Sequence, residues 1–145
     1  MPSPLLRALR ERHGVVSVDE ASIDAFLAEG SHALLFFAGD PAQRSETHDV
    51  AVILPQLLAV FAGRLRPAIV APAAEAALAR RFAVGVFPSL VVTRGGESVG
   101  VLPKVWDWSD YLARIEAWLA PDAPLLERSS GPRVTITFSE PETTA

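Results

Sequence analysis

The residues best suited to chemistry lie in one short polar segment, 39–49, which follows an apolar run. Asp40, Glu46 and Asp49 place three carboxylates there, with Arg44 among them. A carboxylate accepts two parallel hydrogen bonds from a guanidinium, so such a segment could bind a basic peptide. We therefore take this segment as the first candidate for a partner-binding site.

A purely structural role would also explain the same residues. Asp40-Pro41 is a common start of a turn, and Asp49 could cap a following helix. Arg44 could neutralise Glu46 within the segment. Both interpretations stay open at the level of the sequence.

Catalytic and metal-binding chemistry find little support. Ser45, His48 and Asp49 contain the residue types of a catalytic triad, but a triad is defined by spatial geometry and not by closeness in sequence. The three histidines are too dispersed for a metal-ligand spacing, and no glycine-rich phosphate loop precedes a helix. We expect no cofactor, no metal and no enzymatic activity. Because the chain has no cysteine, thiol–disulfide exchange is excluded.

Composition narrows the classes of partner. The net charge of −4 and the scattered arginines argue against nucleic acid, which needs a basic face. The most apolar stretch, Val50 to Ala62, is too short to span a bilayer, so we expect no membrane insertion. The first residues lack the apolar run of a secretory signal, which favours a cytoplasmic location.

The elements that must position the polar segment alternate between strands and helices. An apolar run without alternation, 33–38, predicts a central strand covered on both faces, and a helix over 49–64 contains Pro55. Ser17 and Glu20 have the spacing of a capping box for an earlier helix. The predicted order is β-α-β-α-β-α-β-β-α after an initial helix, which indicates an α/β fold with a mixed sheet.

Aromatic residues near the later strands supply further binding candidates. Phe87 precedes Pro88 and could lie exposed beside it, although a core position is more typical of an aromatic residue. Trp106 and Trp108 flank the start of the last helix. Trp108 fits the apolar stripe of that helix and is predicted in the core, which leaves Trp106 as the interface candidate.

The segment Gly85-Val-Phe-Pro-Ser-Leu90 resembles the cis-proline loop of thioredoxin-like proteins. Gly95-Gly96-Glu97 resembles their hairpin turn, and Pro55 matches the proline of their second helix. The resemblance implies a three-layer sandwich, a mixed central β-sheet flanked by helices, with Pro88 in the cis form. The family's redox cysteines are missing, and its buried proton-relay acid falls on Leu35.

A narrower resemblance links the chain to the HyaE/HupG/HoxO hydrogenase expression proteins. Asp40, Pro41, Arg44 and Glu46 are similar to that family's Asp-Pro, arginine and glutamate pattern, with the acidic spacing one residue shorter. It implies a non-enzymatic chaperone for the small subunit of a bacterial [NiFe] uptake hydrogenase. The implied partners are the precursor with its twin-arginine signal peptide and other hydrogenase maturation proteins. The alternative is a redox-inactive thioredoxin-like adaptor for another client.

The predicted binding set combines the two lines of reasoning and comprises Asp40, Pro41, Arg44, Glu46, Asp49, Phe87, Pro88 and Trp106. We expect a thioredoxin-like domain over 1–120, with its core at about 15–120 and an extra N-terminal helix. A tail rich in proline, serine, threonine and glutamate follows over 121–145. Its alternating run 134–138 could add one strand, either to this domain's own sheet edge or to a client.

Overall fold

The fold is α/β, with one five-stranded mixed sheet between two layers of helices, in a computed structural model that describes residues 4–40 and 45–126. The sheet order is β1-β3-β2-β4-β5. The strands β1, β3 and β2 are parallel to one another. β4 is antiparallel to both of its neighbours, β2 and β5. The strands are β1 (Val16–Val18), β2 (His32–Phe37), β3 (Arg66–Val70), β4 (Ser89–Arg94) and β5 (Glu97–Pro103).

Helices connect the strands, and the initial helix predicted from the sequence is present. A single 3₁₀ turn, Pro72–Ala74, leads into the fourth helix. The helices are α1 (Pro4–Arg12), α2 (Ile23–Ala28), α3 (Ser45–Val60), α4 (Glu75–Phe82) and α5 (Trp108–Trp118).

The side chains of β2 alternate between two apolar clusters, because successive residues of a strand point to opposite faces. Leu34 and Phe36 join α1, α3 and α5 on one face. Leu35 and Phe37 join α2 and α4 on the other. Leu35, at the position of the proton-relay acid in thioredoxins, is fully buried among apolar groups. The continuous apolar run of β2 is thus explained by burial on both faces.

Two helix starts differ from the sequence prediction. The helix expected at Asp49 begins at Ser45, so Asp49 lies a full turn inside α3 and cannot cap it. The capping box of Ser17 and Glu20 does not form, since Ser17 belongs to β1. The Asp19 carboxylate instead accepts backbone hydrogen bonds just before α2.

The predicted tail lies mostly outside the described residues, and its alternating run 134–138 does so entirely. The part that is described packs against the β4–β5 hairpin. Ala123 is buried, and the Arg94 guanidinium donates to the carbonyls of Pro121 and Ala123 at 3.0 and 2.7 Å. The Leu126 N–H donates to the Ser98 carbonyl of β5 at 2.7 Å.

Candidate functional site

One end of the sheet gathers the start of α3, the proline loop before β4 and the segment after β5. Thr47 fixes the first of these. Its side chain is fully buried, and its hydroxyl donates to the Ala38 carbonyl at 2.5 Å, just past the end of β2. This bond ties the first turn of α3 to the central strand and so positions the neighbouring Glu46 at the surface.

The proline loop has the cis geometry that the resemblance to thioredoxin-like proteins implied. The peptide bond between Phe87 and Pro88 is cis, and Pro88 is buried. The Ser89 hydroxyl donates to the Val86 carbonyl at 2.7 Å, which closes the loop. Phe87 is half-buried and stacks on Phe37, with ring centroids 6.3 Å apart and planes at 5°. Phe87 therefore belongs to the rim of the core, with part of its ring accessible.

Lys104 joins these elements, and the sequence prediction missed it. Its backbone N–H donates to the Pro88 carbonyl at 2.7 Å, and its carbonyl accepts a bond from the Tyr111 hydroxyl at 3.4 Å. Its ammonium lies 3.3 Å from the Glu46 carboxylate. Its φ of 61° is in the left-handed region, which is unfavourable for a residue with a side chain. The one signal in the sequence was that Lys104 is the only lysine of the chain.

The exposure of the two tryptophans differs from the sequence prediction. Trp108, predicted in the core, is 40% exposed. Trp106 is half-buried against the apolar cluster that contains Leu34 and Phe36. Its indole N–H donates to the Pro103 carbonyl at 2.6 Å. The Arg114 guanidinium lies 4.8 Å from the Trp106 ring centroid. An interface role for Trp106 remains a prediction, and Trp108 offers the more accessible ring.

Asp49 contributes charge to the same end of the molecule. It is exposed on α3, and its negative charge adds to a rise in the pKa of Tyr111. The main cause of that rise is burial, since Tyr111 is fully buried; the hydrogen bond from the Trp106 N–H opposes it. Glu46, Asp49, Phe87, Pro88 and Trp106 thus belong to the loops and helix ends that meet at the Lys104 segment. We call this surface the proline groove.

Asp40 lies at a separate cavity and not in the proline groove. It lines a cavity of about 530 Å³ beyond the carboxyl ends of β2 and β3, beneath Arg7 and Arg10 of α1. The chain leaves β2 and β3 toward opposite faces of the sheet, which opens a crevice between them. The Glu75 carboxylate bridges this crevice by accepting the Gly39 N–H at 2.9 Å. The acidic segment is therefore divided between the cavity and the proline groove.

Pro41 and Arg44, the other two predicted binding residues, lie outside the described residues. The suggested pairing of Arg44 with Glu46 is likewise not described. Among the described residues, the Glu46 carboxylate pairs with Lys104.

The described residues lend no geometry to the catalytic alternative. His48 and Asp49 are exposed on α3, no hydrogen bond joins them, and the Ser45 side chain is not described. Within 4–40 and 45–126, no cluster of three or more histidine, aspartate or glutamate side chains could hold a metal ion. In the same ranges, no helix is long and apolar enough to cross a membrane.

Comparison with known proteins decides the family. The family model "Hydrogenase-1 expression protein HyaE" matches residues 5–111, which include all five strands and the helices up to the start of α5. The chain belongs to the HyaE family. The resemblance inferred from the 40–46 segment and the proline loop is thereby confirmed.

Named members of the HyaE family are similar along most of their length. The hydrogenase expression/formation protein HupG of Rhizobium leguminosarum bv. viciae is 56% identical over 146 residues, 98% of each chain. The hydrogenase expression/formation protein HoxO of Azotobacter vinelandii is 41% identical over 137 residues, 90% of this chain and 92% of that protein.

A solved structure supports the HyaE fold directly. It is the crystal structure of the hydrogenase expression/formation protein hupG from Rhodopseudomonas palustris, which is 48% identical to this chain. The TM-score is 0.53, and the match covers 72% of this chain and 95% of that one. Together with the strand order, this confirms the α/β, thioredoxin-like class predicted from the sequence.

Proposed function

We propose that this protein is a non-enzymatic chaperone for the small subunit of a bacterial [NiFe] uptake hydrogenase. It binds the precursor or its twin-arginine signal peptide in the cytoplasm, before export. The observation that carries the proposal is the proline groove, which combines carboxylates with exposed apolar side chains and has no thiol, in a member of a hydrogenase expression family.

The apolar part of the groove supports a peptide as the ligand. Val86 is 41% exposed beside the cis proline, Val105 is 39% exposed after Lys104, and Trp108 is 40% exposed. Apolar side chains that are left in water where several loops meet favour contact with a partner. The apolar stretch of a signal peptide supplies matching side chains.

The charges of the groove favour a basic segment. Glu46 and Asp49 lie on α3, and Asp107 and Asp110 are exposed at the start of α5. The positively charged stretch that begins a signal peptide complements these four carboxylates. Disulfide exchange cannot compete as a function, because it requires a thiolate nucleophile.

The proposal is tested by co-expression of the tagged protein with the small-subunit precursor, with and without its signal peptide. Co-purification of the full precursor is expected. Loss of the complex without the signal peptide would assign recognition to that peptide, whereas retention would assign it to the subunit. Failure of both forms to co-purify would refute the proposal.

Charge reversal then locates the binding surface. We expect Glu46→Lys to weaken co-purification, because it replaces a carboxylate of the groove by a cation. Asp40→Lys tests the separate cavity in the same assay. Glu116→Lys is the matched control, since Glu116 is an exposed helical carboxylate that is paired with Arg64 and not with Lys104. Equal complex formation by Glu46→Lys and Glu116→Lys would remove Glu46 from the site.

A further inference from the structure

We infer that Lys104 is an intramolecular competitor for the Glu46 carboxylate, and that the proline groove selects a partner segment whose arginine displaces it. The inference rests on the proposed function, since it assumes a peptide in the groove. It adds the residue that sets the selectivity and the chemical group that the partner must carry.

The backbone of Lys104 is held independently of its side chain. The hydrogen bonds to the Pro88 carbonyl and from the Tyr111 hydroxyl fix the peptide units on either side of its Cα. The φ of 61° is therefore imposed by the proline loop and α5. The ammonium can leave Glu46 without disturbing the segment that carries it.

The ion pair itself is easily exchanged. Its single N–O contact measures 3.3 Å, and the side chains of Lys104 and Glu46 are 51% and 40% exposed. Exposed pairs of this kind contribute little free energy, because water and salt screen them. An incoming cation at the same carboxylate therefore has little to overcome.

A guanidinium is the cation that gains most from the exchange. It can bind both carboxylate oxygens at once, which an ammonium cannot do in the same planar manner. The molecule contains an example of this geometry. Arg64 binds Glu116 through two bonds, of 3.1 and 2.8 Å.

No other described cation takes the place of Lys104. Arg114 of α5 is placed over the Trp106 ring. Asp49 on α3 and Asp107 and Asp110 at the start of α5 add carboxylates to the elements that meet at this segment. A released Lys104 ammonium thus stays in an acidic neighbourhood, which lowers the cost of its displacement.

The experiment measures the affinity of the purified protein for a synthetic peptide with the sequence of the precursor's twin-arginine signal, by fluorescence anisotropy. Lys104→Gln is expected to tighten binding about two- to fivefold, because the competitor is lost. Lys104→Arg is expected to weaken it, because a guanidinium competes better for Glu46. Since Lys104→Arg keeps the net charge, a general charge effect cannot cause that change.

Two controls make the result specific. Arg64→Gln removes one positive charge beyond the last turn of α3, whereas Glu46 lies in its first turn. This variant should leave the affinity unchanged. With Glu46→Gln as background, Lys104→Gln should no longer tighten binding, since the contested carboxylate is absent. A peptide with lysine in place of both arginines should bind more weakly and respond less to Lys104→Gln.

The outcomes separate this inference from the proposed function. If peptide or precursor binds but Lys104→Gln leaves the affinity unchanged or reduces it, the competition is refuted and the chaperone proposal stands. If Lys104→Arg binds as tightly as the natural chain, the selection of a guanidinium is refuted. If neither precursor nor peptide binds the natural chain or any variant, both proposals fail.

Discussion

At the scale of single residues, close packing decides which positions tolerate change. Gly100 in β5 illustrates this. A Cβ at that position would overlap the indole ring of Trp118, which crosses the strand from α5. Glycine is needed here for close approach and not for an unusual backbone angle.

We predict that Gly100→Ala lowers the free energy of unfolding by roughly 1–3 kcal/mol, because the added methyl group overpacks the contact with Trp118. Urea denaturation measures the change. Gly85→Ala is the matched control, since nothing lies within 4 Å of a Cβ there, and it should change stability by no more than about 0.5 kcal/mol. Equal stability of the two variants would contradict the prediction.

His32, the first residue of β2, gives a pH-dependent contribution. Burial lowers its pKa from the ordinary 6.5, and the nearby charges of Arg94 and Arg64 lower it further. The unfolded chain therefore binds the proton first as pH falls, so stability decreases below about pH 6.5. We predict that His32→Gln flattens the stability curve between pH 7 and 5, measured by thermal unfolding.

His48→Gln is the control for this pH effect, because His48 is exposed on α3. It should keep the slope of the natural chain. If His32→Gln left the slope unchanged and His48→Gln reduced it, the assignment of the pH effect to His32 would be wrong.

At the scale of elements, the junction of β2 and α3 decides where the proline groove forms. We predict that Thr47→Val lowers the free energy of unfolding by about 1–3 kcal/mol, because the Ala38 carbonyl loses its buried donor. Thr47→Ser keeps the hydroxyl and should lose only about 1 kcal/mol for the missing methyl group. Thermal and urea unfolding of both variants provide the test, and equal losses would show that the hydrogen bond contributes nothing.

This junction also marks the limit of sequence reasoning. The apolar run of β2 and the glycines of the hairpin carry local signals, and these predicted the strands, whereas the cis proline was implied by the resemblance to thioredoxin-like proteins. The start of α3 carries none, because its first turn is fixed by the bond from Thr47 to the preceding strand. Asp49 consequently looked like a cap. Lys104 was missed for the same reason, because its partner, Glu46, lies 58 residues earlier in the chain.

Trp108 shows a second limit. It has the spacing of the α5 stripe, in which Tyr111 and Ile115 are buried. It lies a turn before the first of these, at the very start of the helix, where periodicity no longer indicates contact with the sheet. The binding roles of the predicted residues likewise remain predictions.

At the scale of the whole molecule, residues beyond the predicted domain boundary pack against the sheet. The boundary predicted at residue 120 remains a prediction, but residues 121–126 bind the hairpin through Arg94 and Ser98. We predict that a chain ending at residue 120 is less stable by roughly 1–3 kcal/mol than one ending at residue 126, because three hydrogen bonds and the burial of Ala123 are lost.

Urea denaturation of the two shortened chains measures this difference, since both lack the same later residues. Arg94→Met in the longer chain removes two of the three bonds and should therefore reproduce part of the stability loss. Equal stability of the two shortened chains would place the boundary at residue 120.

The hydrogen bond between Leu126 and Ser98 also bears on aggregation through exposed strand edges. An exposed strand edge can pair with the extended backbone of another chain, which leads to aggregation. Among the described residues, one outer strand, β1, is only three residues long. The other, β5, receives the Leu126 N–H near its beginning. At these places the described sheet edges offer another chain little room for strand addition. We therefore expect a partner to bind through side-chain contacts, as proposed for the proline groove, and not by strand addition there.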